Sequence, residues 1–149
     1  MLIAGSAIIG GLGVVLAPAA HADAGSYSIS INGAAVPNVP ESITCYRDSG
    51  TGQIGSITVG NPASSNSTSA LARFINGALV EVRFSVPGTP TMGPDTGYVQ
   101  YSWDTANYAV PPNGNASMAQ QGKTYKMTGK IGEMGQVPLK PFELDVTCP

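Results

Sequence analysis

The side chains able to do chemistry are few: one histidine, His21, and two cysteines, Cys45 and Cys148, beside nine carboxylates and seven basic residues. His21 sits in an N-terminal segment where the apolar run Leu2 to Leu16 leads through Ala17-Pro18-Ala19-Ala20 to the small-residue triplet Ala20-His21-Ala22. A signal peptidase reads that pattern. Cleavage after Ala22 removes the only imidazole, and with it Ser-His-Asp, Cys-His and His-bearing metal chemistry. The two cysteines of an exported chain are then expected to meet as a structural disulfide, which leaves no thiol nucleophile. The rival reading, two free or metal-binding thiols, lacks the further clustered ligands that zinc requires. Among the carboxylates, Asp95, Asp104, Glu81 and Glu133 are candidates for a glycoside-hydrolysing pair. Nothing in the sequence places two of them together, and sparse acids on polar strand faces are ordinarily solvated surface charges. Gly10, Gly11 and Gly13 belong to the export segment, and no lysine follows them as a phosphate-gripping loop needs. No catalytic residue, cofactor or metal is therefore expected.

The same segment sets the expected compartment. A signal peptide over 1–22 followed by a single secreted domain over 23–149 places the protein outside the cytoplasm, secreted or in the cell envelope. The alternative is an uncleaved plasma-membrane anchor, because Leu2 to Ala20 approaches the roughly 20 residues that span a bilayer. About 127 residues remain after cleavage, enough for one domain with a core of its own. Charged residues make up 11% of the chain, against about 25% in typical soluble domains. Surface polarity must come from Ser, Thr, Asn, Gln and Gly. A formal net charge of −2 offers no basic footprint for nucleic acid and no polybasic patch for anionic lipid.

Periodicity along the chain is mostly two. In Leu79 to Val86, Val80, Val82, Phe84 and Val86 face one way and Glu81, Arg83 and Ser85 the other, as in a strand with one wet face. Tyr125 to Ile131 and Phe142 to Val146 alternate likewise. Shorter candidate strands are Tyr27 to Ile31, Ser42 to Arg47, Ile54 to Val59, Gly97 to Trp103 and Ala116 to Gln120, punctuated by turn dipeptides such as Asn32-Gly33 and Asn113-Gly114. One stretch reads differently. Leu71, Phe74 and Ile75 lie at helical spacing between a capping serine, Ser67 or Ser69, and the stop Asn76-Gly77, which predicts one short helix over Ser67 to Ile75. The expected fold is α+β, mainly β: an antiparallel sheet of about six to eight strands with that helix packed on it. Cys45 and Cys148 both fall on or beside strands, so their bridge would staple an early strand to the last.

Aromatic residues are the remaining concentration. Tyr98, Tyr101, Trp103 and Tyr108 lie close together in sequence and are the candidate walls of an apolar ligand site, with Leu71 and Phe74 of the expected helix opposite them. The bland reading is that they are core residues whose polar tips reach partners at the edge.

Toward the C-terminus, Gly114-Asn115-Ala116-Ser117, then Gly122-Lys123-Thr124-Tyr125-Lys126-Met127-Thr128-Gly129-Lys130, then Pro141-Phe142-Glu143-Leu144-Asp145-Val146-Thr147-Cys148 resemble the C-terminal region of the mycobacterial lipoprotein antigen (LpqH-like) family. Ile29-Ser30-Ile31-Asn32-Gly33 and Ile43-Thr44-Cys45 resemble its opening strand and first cysteine. The resemblance implies an envelope or shed antigen that engages a host surface receptor, and not an enzyme. The chain departs from that family's pattern before the first strand. Ala22-Asp23-Ala24-Gly25-Ser26 contains neither the cysteine that members acylate nor their Ser/Thr/Gly/Ala-rich tether, so lipidation is not carried over. Two functions are expected: an exported non-enzymatic protein that binds an apolar or glycolipid ligand, or a purely structural antigen-like surface domain with a filled core. A monomer is expected in either case.

Overall fold

The computed structural model describes residues 25–62, 64, 66–91, 93–106 and 114–149. These residues form ten strands and no helix: β1 (Ser26–Ile31), β2 (Ala34–Ala35), β3 (Ile43–Arg47), β4 (Ile54–Val59), β5 (Ser69–Ile75), β6 (Ala78–Pro87), β7 (Tyr98–Asp104), β8 (Gly114–Gln121), β9 (Thr124–Glu133) and β10 (Lys140–Thr147). The expected signal peptide and anchor fall outside the described residues, as does Tyr108.

All ten strands join one antiparallel sheet in the order β2-β1-β10-β9-β7-β6-β5-β4-β3, with β8 also paired to β9. The branch is at β9. Its edge pairs with β8 from Thr124 to Ile131 and then with β7 at Gly132 and Glu133. This handover splits the sheet into two lobes that curl toward each other. Phe84 on β6 meets Phe142 on β10 with ring centroids 5.5 Å apart, and Phe74 on β5 meets Tyr125 on β9 at 6.0 Å. The core fills the space between the lobes with alternate residues of each strand, among them Ile57, Val59, Val82, Met127, Ile131, Leu144 and Val146.

The α+β expectation is overturned, and the sheet exceeds eight strands. Ser67 to Ile75 is not a helix; β5 occupies Ser69–Ile75 and pairs on both sides, with β4 and with β6. The reason lies in the alanines. Ala70, Ala72 and Phe74 are buried while Arg73 and Ile75 are exposed, a period of two that the coincident Leu71, Phe74 and Ile75 spacing masks. Asn76-Gly77 does not stop a helix but turns a hairpin. Both residues have positive φ, 51° and 76°, as a type I′ turn requires. Sheet pairing on both edges of Ala70 to Arg73 gives the backbone partners that a helix would have found internally, and it buries the alanine face as well.

Candidate functional site

Alternation along β7 sends Tyr98, Gln100 and Ser102 to the outer face and Val99, Tyr101 and Trp103 to the inner one. The six residues singled out from the sequence therefore do not form one wall. Tyr101 and Trp103 pack against the core from its margin, and Phe74 is buried within it. Tyr101 is fixed further by Lys140, whose ammonium donates to its hydroxyl at 3.2 Å. Leu71 and Tyr98 lie on the opposite, solvent-facing side, where they line the same groove. Tyr108 lies outside the described residues.

That groove has a volume of about 290 Å³ and is lined by Ser69 and Leu71 of β5, Arg83 and Ser85 of β6, Tyr98 and Gln100 of β7, and Pro62 and Ser64 of the β4–β5 connection. Register explains the assembly: Ser69 stands opposite Ser85, which stands opposite Gln100, and Leu71 stands opposite Arg83. Leu71, Pro62 and the Tyr98 ring supply apolar surface, while hydroxyls, an amide and a guanidinium supply directed hydrogen bonds. Arg83 Nη2 lies 2.6 Å from Glu81 Oε1, and its side chain keeps 47% of its surface exposed. The pairing holds the guanidinium in place and leaves its other N–H groups for a ligand. Such a set suits a polyhydroxylated or anionic head group.

The carboxylates considered from the sequence are engaged elsewhere. Glu81 and Asp104 do stand opposite one another on β6 and β7. However, Glu81 is buried with Arg73 at 3.0 Å on one oxygen and Arg83 at 2.6 Å on the other, so both oxygens are engaged by guanidinium groups. Asp104 accepts the Ala106 N–H at 2.8 Å and Asp95 the Gly97 N–H at 3.0 Å, each fixing a turn. Glu133 accepts the Thr91 N–H at 2.7 Å and the Thr91 hydroxyl at 2.5 Å, tying the connection between β6 and β7 to β9. On the other lobe, Lys126 bonds the Glu143 carboxylate and lies 3.6 Å from Asp145. The hydrogen bond with Glu143, reinforced by the nearby charges, raises Lys126 above the ordinary lysine range. Among the described residues no group of His, Cys, Asp and Glu is placed to hold a metal.

Arg83, Ser85 and Gln100 were not among the candidates read from the sequence. The signal that could have found them is parity: in their strands they share a face with Glu81 and with Tyr98, respectively. Which of these faces adjoin is a matter of cross-strand register, which no single strand encodes.

The Cys45 and Cys148 sulfurs are bonded, with Cα atoms 5.9 Å apart across 103 residues of sequence. The bridge ties β3, at one end of the strand order, to the residue that follows β10. No curated protein matches the chain. The Mycobacterium 19 kDa lipoprotein antigen family does match, over residues 20–148, nearly the whole sequence. The match takes in both bridged cysteines and every strand of the sheet, and the chain belongs to that antigen family.

Proposed function

We propose that the protein is an exported, non-enzymatic, antigen-like domain of the cell envelope that engages the head group of an amphipathic glycolipid in the outer-face groove of Leu71, Arg83 and Tyr98. One observation carries the reading: two of the residues expected to grip a ligand converge there with a guanidinium, an amide and three hydroxyls. The acyl part of such a ligand has no room between the lobes, where Phe84, Met127, Ile131 and Leu144 are fully buried. The groove's volume is near the lower bound for small-molecule sites, about 300 Å³, and suits one or two sugar rings. Exposure to the host by way of the envelope is consistent with the family.

The second reading, a structural antigen domain with no ligand, is favoured by the same filled interior. Native mass spectrometry of the protein gently extracted from its own host separates the two. A glycolipid adduct on the wild type that is lost in Tyr98→Ala and Arg83→Gln supports the groove, and Trp103 fluorescence should stay unchanged on binding because Trp103 faces inward. A clean apo mass leaves the structural reading standing.

A further inference from the structure

We propose that the protein forms a two-fold dimer through the free edge of β8, joining two sheets into one. Sheet edges are templates for further pairing, and proteins ordinarily blunt them with short strands, charges, proline or a cover. Two of the edges here are managed in that way. β2 is two residues long. On β3, Cys45 is bridged to Cys148, and Ile43 crowds Gly25, where a Cβ would stand 3.1 Å from Ile43 Cδ1. β8 is different. It runs eight residues, pairs with β9 on one side, and has no strand on the other among the described residues. Its sequence, Gly114 to Gln121, contains no charge and no proline. The nearest charge in sequence is Lys123, in the hairpin loop beyond the strand's end, and others of this lobe, such as Lys126, Lys130, Glu143 and Asp145, stand one or two strands away.

The hairpin to β9 decides which backbone groups point outward. Gln121 and Thr124 flank a two-residue loop and form its closing pair, so the odd-numbered residues of β8 bond to β9. The other side of β9 agrees, since the Cys148 N–H donates to the Lys123 carbonyl and odd residues there face β10. The even residues, Gly114, Ala116, Met118 and Gln120, therefore present their N–H and C=O groups to the open edge. A second copy pairs with them in a single antiparallel register, Ala116 with Met118 on either side of the axis and Gly114 with Gln120 at its ends.

A second copy is the occupant that this sequence fits. The two-fold axis sets Ser117 against its own duplicate and pairs the flanking residues with one another, so no charge confronts another across the seam, because β8 has none. The small Ala116 meets the large Met118 on the inner face, where both already pack against the core, and the seam extends that core. On the outer face Ser117 stands opposite the partner's Ser117, with Cα atoms about 4.5 Å apart as in a non-hydrogen-bonded pair.

Sedimentation equilibrium of the exported chain, from low to high micromolar concentration, tests the dimer. The expected result is a mass that doubles with concentration, and that halves again in Ser117→Lys, which sets two ammonium groups against each other on an exposed site. Ser117→Cys is an independent check, because the native cysteines are already bonded to each other. Mild oxidation should give a covalent dimer at Ser117→Cys and none at Thr44→Cys, an exposed control on β3. A wild type that stays monomeric throughout, a dimer indifferent to Ser117→Lys, or equal cross-linking at both cysteine positions would overturn the proposal.

Discussion

Phe84 and Phe142 meet with ring centroids 5.5 Å apart and planes at 60°, although β9 and β7 separate their strands in the sheet. The contact exists only because the two lobes fold toward each other at the β9 branch. Phe84 is fully buried and Phe142 nearly so, and tilted aromatic pairs add about 0.5–1.5 kcal/mol to the value of burial alone. Urea denaturation of Phe84→Ala should show a loss of about 3–5 kcal/mol. The double variant with Phe142→Ala should fall short of the sum of the single losses by roughly that pair energy. Strict additivity would mean that the lobes do not press these rings together.

The Cys45–Cys148 bridge closes a loop of 103 residues, for which chain entropy gives up to about 4.7 kcal/mol of stabilisation. Because it also holds the β3 end of one lobe beside the end of β10, it should resist opening of the curl. Reduction, or the double Cys45→Ser and Cys148→Ser variant, is expected to lower the melting temperature clearly. Thiol reagents should find no target on the unreduced native protein. Quantitative labelling of both positions would remove the bridge from this account.

Eight of the ten strands are legible in the sequence because their alternation is carried by large residues such as Val80, Val82, Phe84, Tyr125 and Leu144. β5 reads as a helix because its buried face is Ala70, Ala72 and Phe74, and alanine marks a face weakly. The two-residue spacing of Asn76-Gly77 between Ile75 and Ala78 was the better evidence, since a tight loop between two apolar runs favours a hairpin over a helix stop. β2 is too short to show a period at all. At the site, the parity of residue numbers already separates Tyr98 from Tyr101 and Trp103, so grouping them as one wall overlooked a rule that the sequence carries. The neighbours Arg83 and Gln100 were out of reach, because they join Leu71 and Tyr98 only through the registers of β5, β6 and β7.

The turn after β3 should make a pH-dependent contribution. Asp48 Oδ1 accepts the Thr51 N–H at 2.8 Å, the Gly50 N–H at 2.9 Å and the Thr51 hydroxyl at 3.1 Å. The Thr51 amide first, then the Thr51 hydroxyl and the Gly50 amide, hold its carboxyl below the ordinary aspartate value. A carboxyl depressed in the folded state adds stability above its unfolded value, about 3.9, and that stability is lost as pH falls through the folded one. Asp48→Ala should therefore melt earlier than wild type at pH 7, and the gap should close as the pH drops below about 4. A gap that is constant down to pH 2 would assign the effect to packing instead.

Gly129 governs how closely β8 lies on β9. A Cβ on Gly129 would stand 1.9 Å from the Asn115 carbonyl oxygen and 2.9 Å from the Ala116 Cα, both backbone atoms that no side-chain rotation can move aside. Gly122, in the hairpin loop, is the useful contrast: a Cβ there meets nothing within 4 Å, and only its φ of 60° opposes substitution. Gly122→Ala should then cost about 1 to 2 kcal/mol, the strain of a left-handed residue. Gly129→Ala must instead push β8 off its register, breaking ladder hydrogen bonds and lifting Ala116 and Met118 from the core. Its cost should exceed that of Gly122→Ala, at about 3 kcal/mol or more. Hydrogen exchange locates the damage: the amides of Asn115, Ser117 and Ala119, which bond to β9, should lose protection in Gly129→Ala and keep it in Gly122→Ala. Equal stability of the two variants, with β8 amides still protected in both, would show that the strands are not held this close.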